Sequence, residues 1–89
     1  MQSRCYKIEN LNGLHARPAA ELLQTARTHG CSLLVKIDAG WQEAGLMKLL
    51  TLGMGEGTLL EIGVEGGAEE LCLVKLGKIF ERGNNKFDS

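Results

Sequence analysis

Glycine punctuation limits this chain to short elements. Of its twelve glycines, those at positions 13, 30, 40, 53, 55, 66, 67 and 83 mostly fall between two stretches of clear hydrophobic patterning. Glycine takes left-handed backbone without steric cost, so it stops helices and turns strands. Cys5-Tyr6-Lys7-Ile8-Glu9 alternates in polarity and predicts a strand, with Asn10-Leu11-Asn12-Gly13 as the turn after it. Ala16, Ala19, Leu22, Leu23 and Ala26 recur along one helical face. Pro18 suits that helix's first turn, Gly30 its stop, and Arg27 and His29 its negative end, His29 as a surface residue. Cys31 to Asp38 reads as a strand with Leu33, Val35 and Ile37 on one side; Ala39-Gly40 is the turn and Trp41 to Ala44 a short third strand. Leu46, Met47, Leu49 and Leu50 predict a short apolar helix closed by Gly53 or Gly55. Thr58 to Glu65 alternates through Leu60, Ile62 and Val64, weakened by Gly63, and Gly66-Gly67 ends it. Cys72, Leu73, Leu76, Ile79 and Phe80 make the clearest helical stripe, with Glu69 and Glu70 at its positive start, Lys75, Lys78 and Arg82 toward its end, and Gly83 just past it.

The order β-α-β-β-α-β-α predicts an α+β open-faced sandwich, a four-stranded antiparallel sheet with three helices on one face. At 89 residues the expectation is one domain over 1–89, with a frayed polar tail at 84–89. Ten basic against eleven acidic residues give a net charge of −1, which argues against a nucleic-acid surface, as does an aromatic content of 4%. No apolar run approaches about 18 residues, and no signal-peptide core follows Met1-Gln2-Ser3-Arg4, so the expectation is a cytoplasmic protein without membrane insertion. Cys5, Cys31 and Cys72 are odd in number and lack Cys-x-x-Cys spacing, which argues against a disulfide framework or a zinc site. Each reads as a small, partly buried hydrophobe.

The chemistry lies in Gly13-Leu14-His15-Ala16-Arg17-Pro18-Ala19-Ala20. A histidine here meets the start of a helix, where unpaired N–H groups and the positive dipole end attract anions, phosphate above all. Arg17 adds a guanidinium in the same turn, Pro18 holds the turn, and Ala16 leaves the approach open. Both positive influences disfavour the imidazolium, leaving a lone pair on His15 for nucleophilic attack. The same groups then stabilise a phosphoryl group on the ring. A histidine before a helix also fits a cap or a surface residue; glycine, arginine and proline around it favour the phosphohistidine reading.

This motif resembles the active centre of HPr, the histidine-containing phosphocarrier family of the bacterial phosphoenolpyruvate-dependent sugar phosphotransferase system. The resemblance covers nearly the whole chain. Met47-Lys48-Leu49-Leu50-Thr51-Leu52-Gly53-Met54 is similar to that family's second-helix segment, and Gly57-Thr58, Glu65-Gly66 and the long last helix continue the match. The resemblance implies that His15 accepts a phosphoryl group on Nδ1 from enzyme I and passes it to enzyme IIA domains. Arg17 and the backbone N–H groups of Ala16 and Arg17 would hold the phosphate. It implies no metal and no organic cofactor, and a carrier rather than a stand-alone enzyme. It places partner docking on Ala20, Gln24 and Arg27 of the first helix and on Met47, Lys48, Leu50 and Thr51 of the second. A short helix with four apolar residues in five positions cannot bury them all, so Met47 is expected at the surface; its flexibility suits several partners.

One position departs from the family pattern. The serine that many members carry at the start of the second helix, a regulatory phosphorylation site, is matched by Gly45, which has no hydroxyl. The segment from Ala39 to Gly45 is one residue shorter than usual, and the stretch around Trp41 is unlike the family, as in a specialised paralogue. Two other readings remain open at this point: a docking module that signals without moving phosphate, and a carrier dedicated to a non-sugar or nitrogen-related relay. A monomer is the simplest oligomeric expectation.

Overall fold

The computed structural model describes residues 1–8, 16–53 and 57–83, the side chains of 82 and 83 excepted. The elements run β1 (Gln2–Lys7), α1 (Ala16–Thr28), β2 (Cys31–Ile37), β3 (Gly40–Glu43), α2 (Leu46–Leu52), β4 (Leu59–Gly66) and α3 (Glu69–Gly83). The strands form one four-stranded sheet in the order β1-β4-β2-β3, and every neighbouring pair is antiparallel. The chain is the α+β open-faced sandwich that its element order predicts.

Alternation decides which face of the sheet is covered. Leu60, Ile62 and Val64 of β4 and Leu33 and Val35 of β2 all point one way and are buried. Against them lie Ala19, Leu22 and Ala26 of α1 and Cys72, Leu73, Leu76, Ile79 and Phe80 of α3. Each fully buried aliphatic side chain of this set contributes about 2 kcal/mol relative to exposure. α1 packs on α2, α3 and β2, while α3 packs on β1 and β4. Tyr6 ties β1 to α3: its ring stacks on Phe80 at 4.2 Å and its hydroxyl donates to the Leu73 carbonyl at 3.4 Å.

The opposite face carries Gly63, which pairs with Ser3 on one side and Leu34 on the other. A β-carbon on Gly63 would stand 3.0 Å from both the Met1 sulfur and the Trp41 ring. The glycine that weakens β4 as a strand is thus the notch over which Trp41 lies.

Several boundaries differ from the sequence expectation. β1 runs over Gln2–Lys7 rather than starting at Cys5, because its ladder to β4 already begins at Gln2 opposite Val64. The β2–β3 turn is Asp38-Ala39, not Ala39-Gly40, with Asp38 at φ 56, and β3 starts one residue earlier, at Gly40. β4 extends to Gly66, and Gly83 is the last residue of α3 rather than the residue after it. Gly53 closes α2, its N–H bonding to the Leu49 carbonyl at 2.9 Å. Cys5 is exposed, because it pairs with Glu61 on the uncovered face, whereas Cys31 and Cys72 are buried. The turn expected at 10–13, the alternative stop at Gly55 and the tail at 84–89 lie outside the described residues.

The C-terminal end of α1 meets the start of α3 at a corner of glycines. The Ala68 N–H donates to the His29 carbonyl at 3.0 Å, and Gly30, Gly66 and Gly67 all have positive φ. The Glu69 carboxylate accepts from the Gly66 N–H at 2.8 Å, satisfying a donor at this corner.

Burial first, then the charge of Cys31 and a side-chain hydrogen bond with it, push the Cys72 thiol up to about 11 from 9.0. The folded chain therefore keeps a proton that the unfolded chain releases. This contribution to stability is complete below pH 9 and is lost as pH rises toward about 11. Urea titrations across that window should show a falling midpoint, and Cys72→Ala should flatten part of the fall. An unchanged slope in the variant would contradict this assignment.

Candidate functional site

α1 begins at Ala16, and its first turn carries Arg17 and Pro18. Proline is tolerated there because a first-turn N–H has no intrahelical acceptor. Ala19 is fully buried and anchors the turn on the core, while Ala16 and Arg17 are exposed. The sequence places Ala16 on the apolar face; at the first residue of the helix that face has not yet reached the sheet. Leu23 is only half-buried, at the edge of the same stripe.

Arg17, Ala20, Gln24 and Arg27 are all exposed and recur at helical spacing, so they form one line down the solvent side of α1. The guanidinium of Arg17 stands at the N-terminal end of that line, where the helix dipole is positive. His15, the residue immediately before α1, lies outside the described residues, as do Gly13 and Leu14.

α2 supplies the second group. Met47 is 73% exposed, as its crowded apolar sequence requires, and Thr51 is exposed too. Leu49 takes the core position, and Leu50 is half-buried against the core. Lys48 is half-buried and its Nζ donates to the Gln42 Oε1 at 2.9 Å, fixing α2 to β3. Leu46 is also exposed, next to Met47, and widens the apolar patch. Gly45 is the N-cap of α2, in extended backbone and without a side-chain cap bond.

The other histidine is differently placed. His29 is half-buried rather than simply on the surface, because its ring folds back on the last turn of α1. Its Nδ1 lies 2.7 Å from the Thr25 carbonyl. A carbonyl can only accept, so Nδ1 of His29 carries the proton and has no lone pair to offer a phosphorus atom.

Sheet order, helix layer and an arginine-led first helix with an exposed apolar patch on the second define a small α+β domain. The family model for the HPr component of the phosphotransferase system, described by its phosphorylation site, matches residues 2–82. The phosphocarrier protein HPr of Haemophilus influenzae is 36% identical over 79 residues, covering 85% of this chain and 91% of that protein. A multiphosphoryl transfer protein of the same organism is 32% identical over 82 residues, which are 88% of this chain and 16% of that protein. The crystal structure of HPr-C-His from Thermoanaerobacter tengcongensis matches at a TM-score of 0.75 and 32% identity, covering 94% of this chain and 96% of that one. The chain belongs to the HPr family of phosphocarrier proteins of the phosphotransferase system.

Proposed function

We propose that this phosphocarrier takes a phosphoryl group from enzyme I, itself charged by phosphoenolpyruvate, onto Nδ1 of His15 and delivers it to enzyme IIA domains for sugar uptake. The Nδ1 lone pair attacks phosphorus as the bond to the donor breaks, and the reverse attack by the acceptor frees the ring. Arg17 faces the phosphoryl oxygens, and the N–H groups of Ala16 and Arg17 complete the cradle. Such a site needs little covalent machinery, because positioning and charge carry most of phosphoryl transfer. The observation that carries this reading is the exposed Arg17 in the first turn of α1, two residues after His15, in a chain of this family. The bonded Nδ1 of His29 supports the choice between the two histidines.

Docking uses Ala20, Gln24 and Arg27 with Met47, Lys48, Leu50 and Thr51, an apolar patch with polar neighbours that can release as easily as it binds. The chain works as a monomeric single domain in the cytoplasm. Among the described residues no helix is long and apolar enough to cross a membrane. The relative in which the matching stretch is part of a multiphosphoryl transfer protein is in keeping with a domain that hands phosphate onward.

The test is incubation with enzyme I, phosphoenolpyruvate and magnesium, followed by addition of an enzyme IIA domain. Acid-labile, base-stable phosphate on the wild type that moves to the second domain, and none on His15→Ala, is the expected result. A wild type that stays unphosphorylated with several enzymes I would favour the pure docking module.

Regulation by serine phosphorylation is absent at the start of α2. Gly45 offers no hydroxyl, and Thr51 is the one hydroxyl in the 42–51 peptide. Mass spectrometry of that peptide after treatment with the family's serine kinase should find no stable phosphate. Gly45→Ser should supply the acceptor and also cap α2, raising stability by a few tenths of a kcal/mol. Its β-carbon would meet nothing within 4 Å.

A further inference from the structure

A side-chain hydrogen bond joins the edge strand β3 to α2. Gln42 pairs with Val35, whose side chain is buried on the helix-covered face, so Gln42 rises from that same side at the edge of the sheet. Its Oε1 accepts from the Lys48 Nζ at 2.9 Å. An ammonium can only donate, so the amide oxygen is turned toward Lys48 and the amide NH2 group away from it. Gln42 is exposed and Lys48 half-buried. The remaining ammonium protons and both amide protons are not used by this bond. Glu43, next in the chain, opposes Leu34 and belongs to the other face of the sheet, and α2 itself carries no acid.

The geometry points to Gln42 and Lys48 as a paired donor clamp for one carboxylate of the docked partner protein, Gln42 through its amide N–H and Lys48 through its ammonium. This inference rests on the phosphocarrier reading above and adds β3 to the docking surface. A pair that offers only donors selects an acceptor, and the two oxygens of a carboxylate can take one N–H from each group. The cation is not neutralised by its own chain, because the group that holds it is an uncharged amide. The two side chains already meet in the free chain, so little of their freedom is lost when the carboxylate arrives. Arg17 and Arg27, exposed on α1, carry the same sign as Lys48, against the half-buried Glu21. An acidic side chain is therefore what this edge of the surface attracts.

Two transfers on the full chain read the pair: phosphorylation by enzyme I at saturating phosphoenolpyruvate, and delivery to an enzyme IIA domain, with the concentration of this chain varied in each. Gln42→Ala should raise KM about fivefold in one or both transfers, with kcat within about twofold of wild type. Gln42→Glu keeps an acceptor for Lys48 and so preserves the tie between β3 and α2. It also loses the amide donor and sets a like charge against the partner's acid. Its KM should rise about 20-fold, and the excess over Gln42→Ala should shrink as salt is added. A bond that merely ties β3 to α2 gives the opposite order, with Gln42→Glu close to wild type. That order, or a Gln42→Ala chain equal to wild type in both transfers, would overturn the proposal. Wild-type transfer in the same assay tests the phosphocarrier reading separately, since the clamp is judged on ratios to wild type.

Discussion

Gly67→Ala should destabilise the fold by about 3 kcal/mol or more, a large part of what a chain this size holds in total. Gly67 has φ +25, and a β-carbon there would run into the His29 carbonyl oxygen and approach the Gly30 carbonyl carbon to 2.8 Å. Both obstacles are backbone, so no side chain can swing aside. To make room the chain must part α1's end from α3's start, breaking the Ala68 N–H to His29 carbonyl bond and disturbing the buried sulfurs below. Gly40→Ala is the matched control, with nothing within 4 Å of its β-carbon and an ordinary φ; it should shift stability by no more than about 0.5 kcal/mol. Urea denaturation of the two variants reads the difference. A Gly67→Ala protein as stable as the control would mean that the corner is looser than described.

Arg17→Ala should slow phosphoryl transfer from enzyme I by about 100-fold, the usual consequence of removing one aligned donor from a developing oxyanion. The side chain is exposed, so unfolding free energy should stay within about 0.5 kcal/mol of wild type. Arg17→Lys keeps the charge but loses the planar fork, and its rate should fall between the two. Rapid-quench measurement of phosphate uptake separates these outcomes. A wild-type rate in Arg17→Ala would remove the guanidinium from the mechanism.

The helices were readable because their signals repeat. The five-residue stripe of α3 is buried at every position, and Ala19, Leu22 and Ala26 of α1 likewise. Reading failed where an element's end, rather than its pattern, decides the outcome. Ala16 shares the stripe's spacing but precedes the point at which α1 reaches the sheet. Cys5 looks like a small hydrophobe, yet edge-strand register turns it to the uncovered face. β1 begins before its alternation becomes apolar, since Gln2, Ser3 and Arg4 pair through backbone groups that no side-chain pattern reports. Exposure of Met47 followed from crowding, but which leucines of α2 would join it depended on where α1 lies. Of the phosphoryl site, the residues themselves were legible: glycine, histidine, arginine and proline at a helix start carry their chemistry in their order. The fold adds the exposure of Arg17 and a second histidine whose Nδ1 is already engaged.

That contrast between two rings supplies the most direct measurement. Nitrogen-resolved NMR of the protein after phosphorylation by enzyme I should show phosphorus coupled to Nδ1 of His15 and the His29 ring unchanged. Phosphorus on His29, or on no histidine at all, would contradict the account.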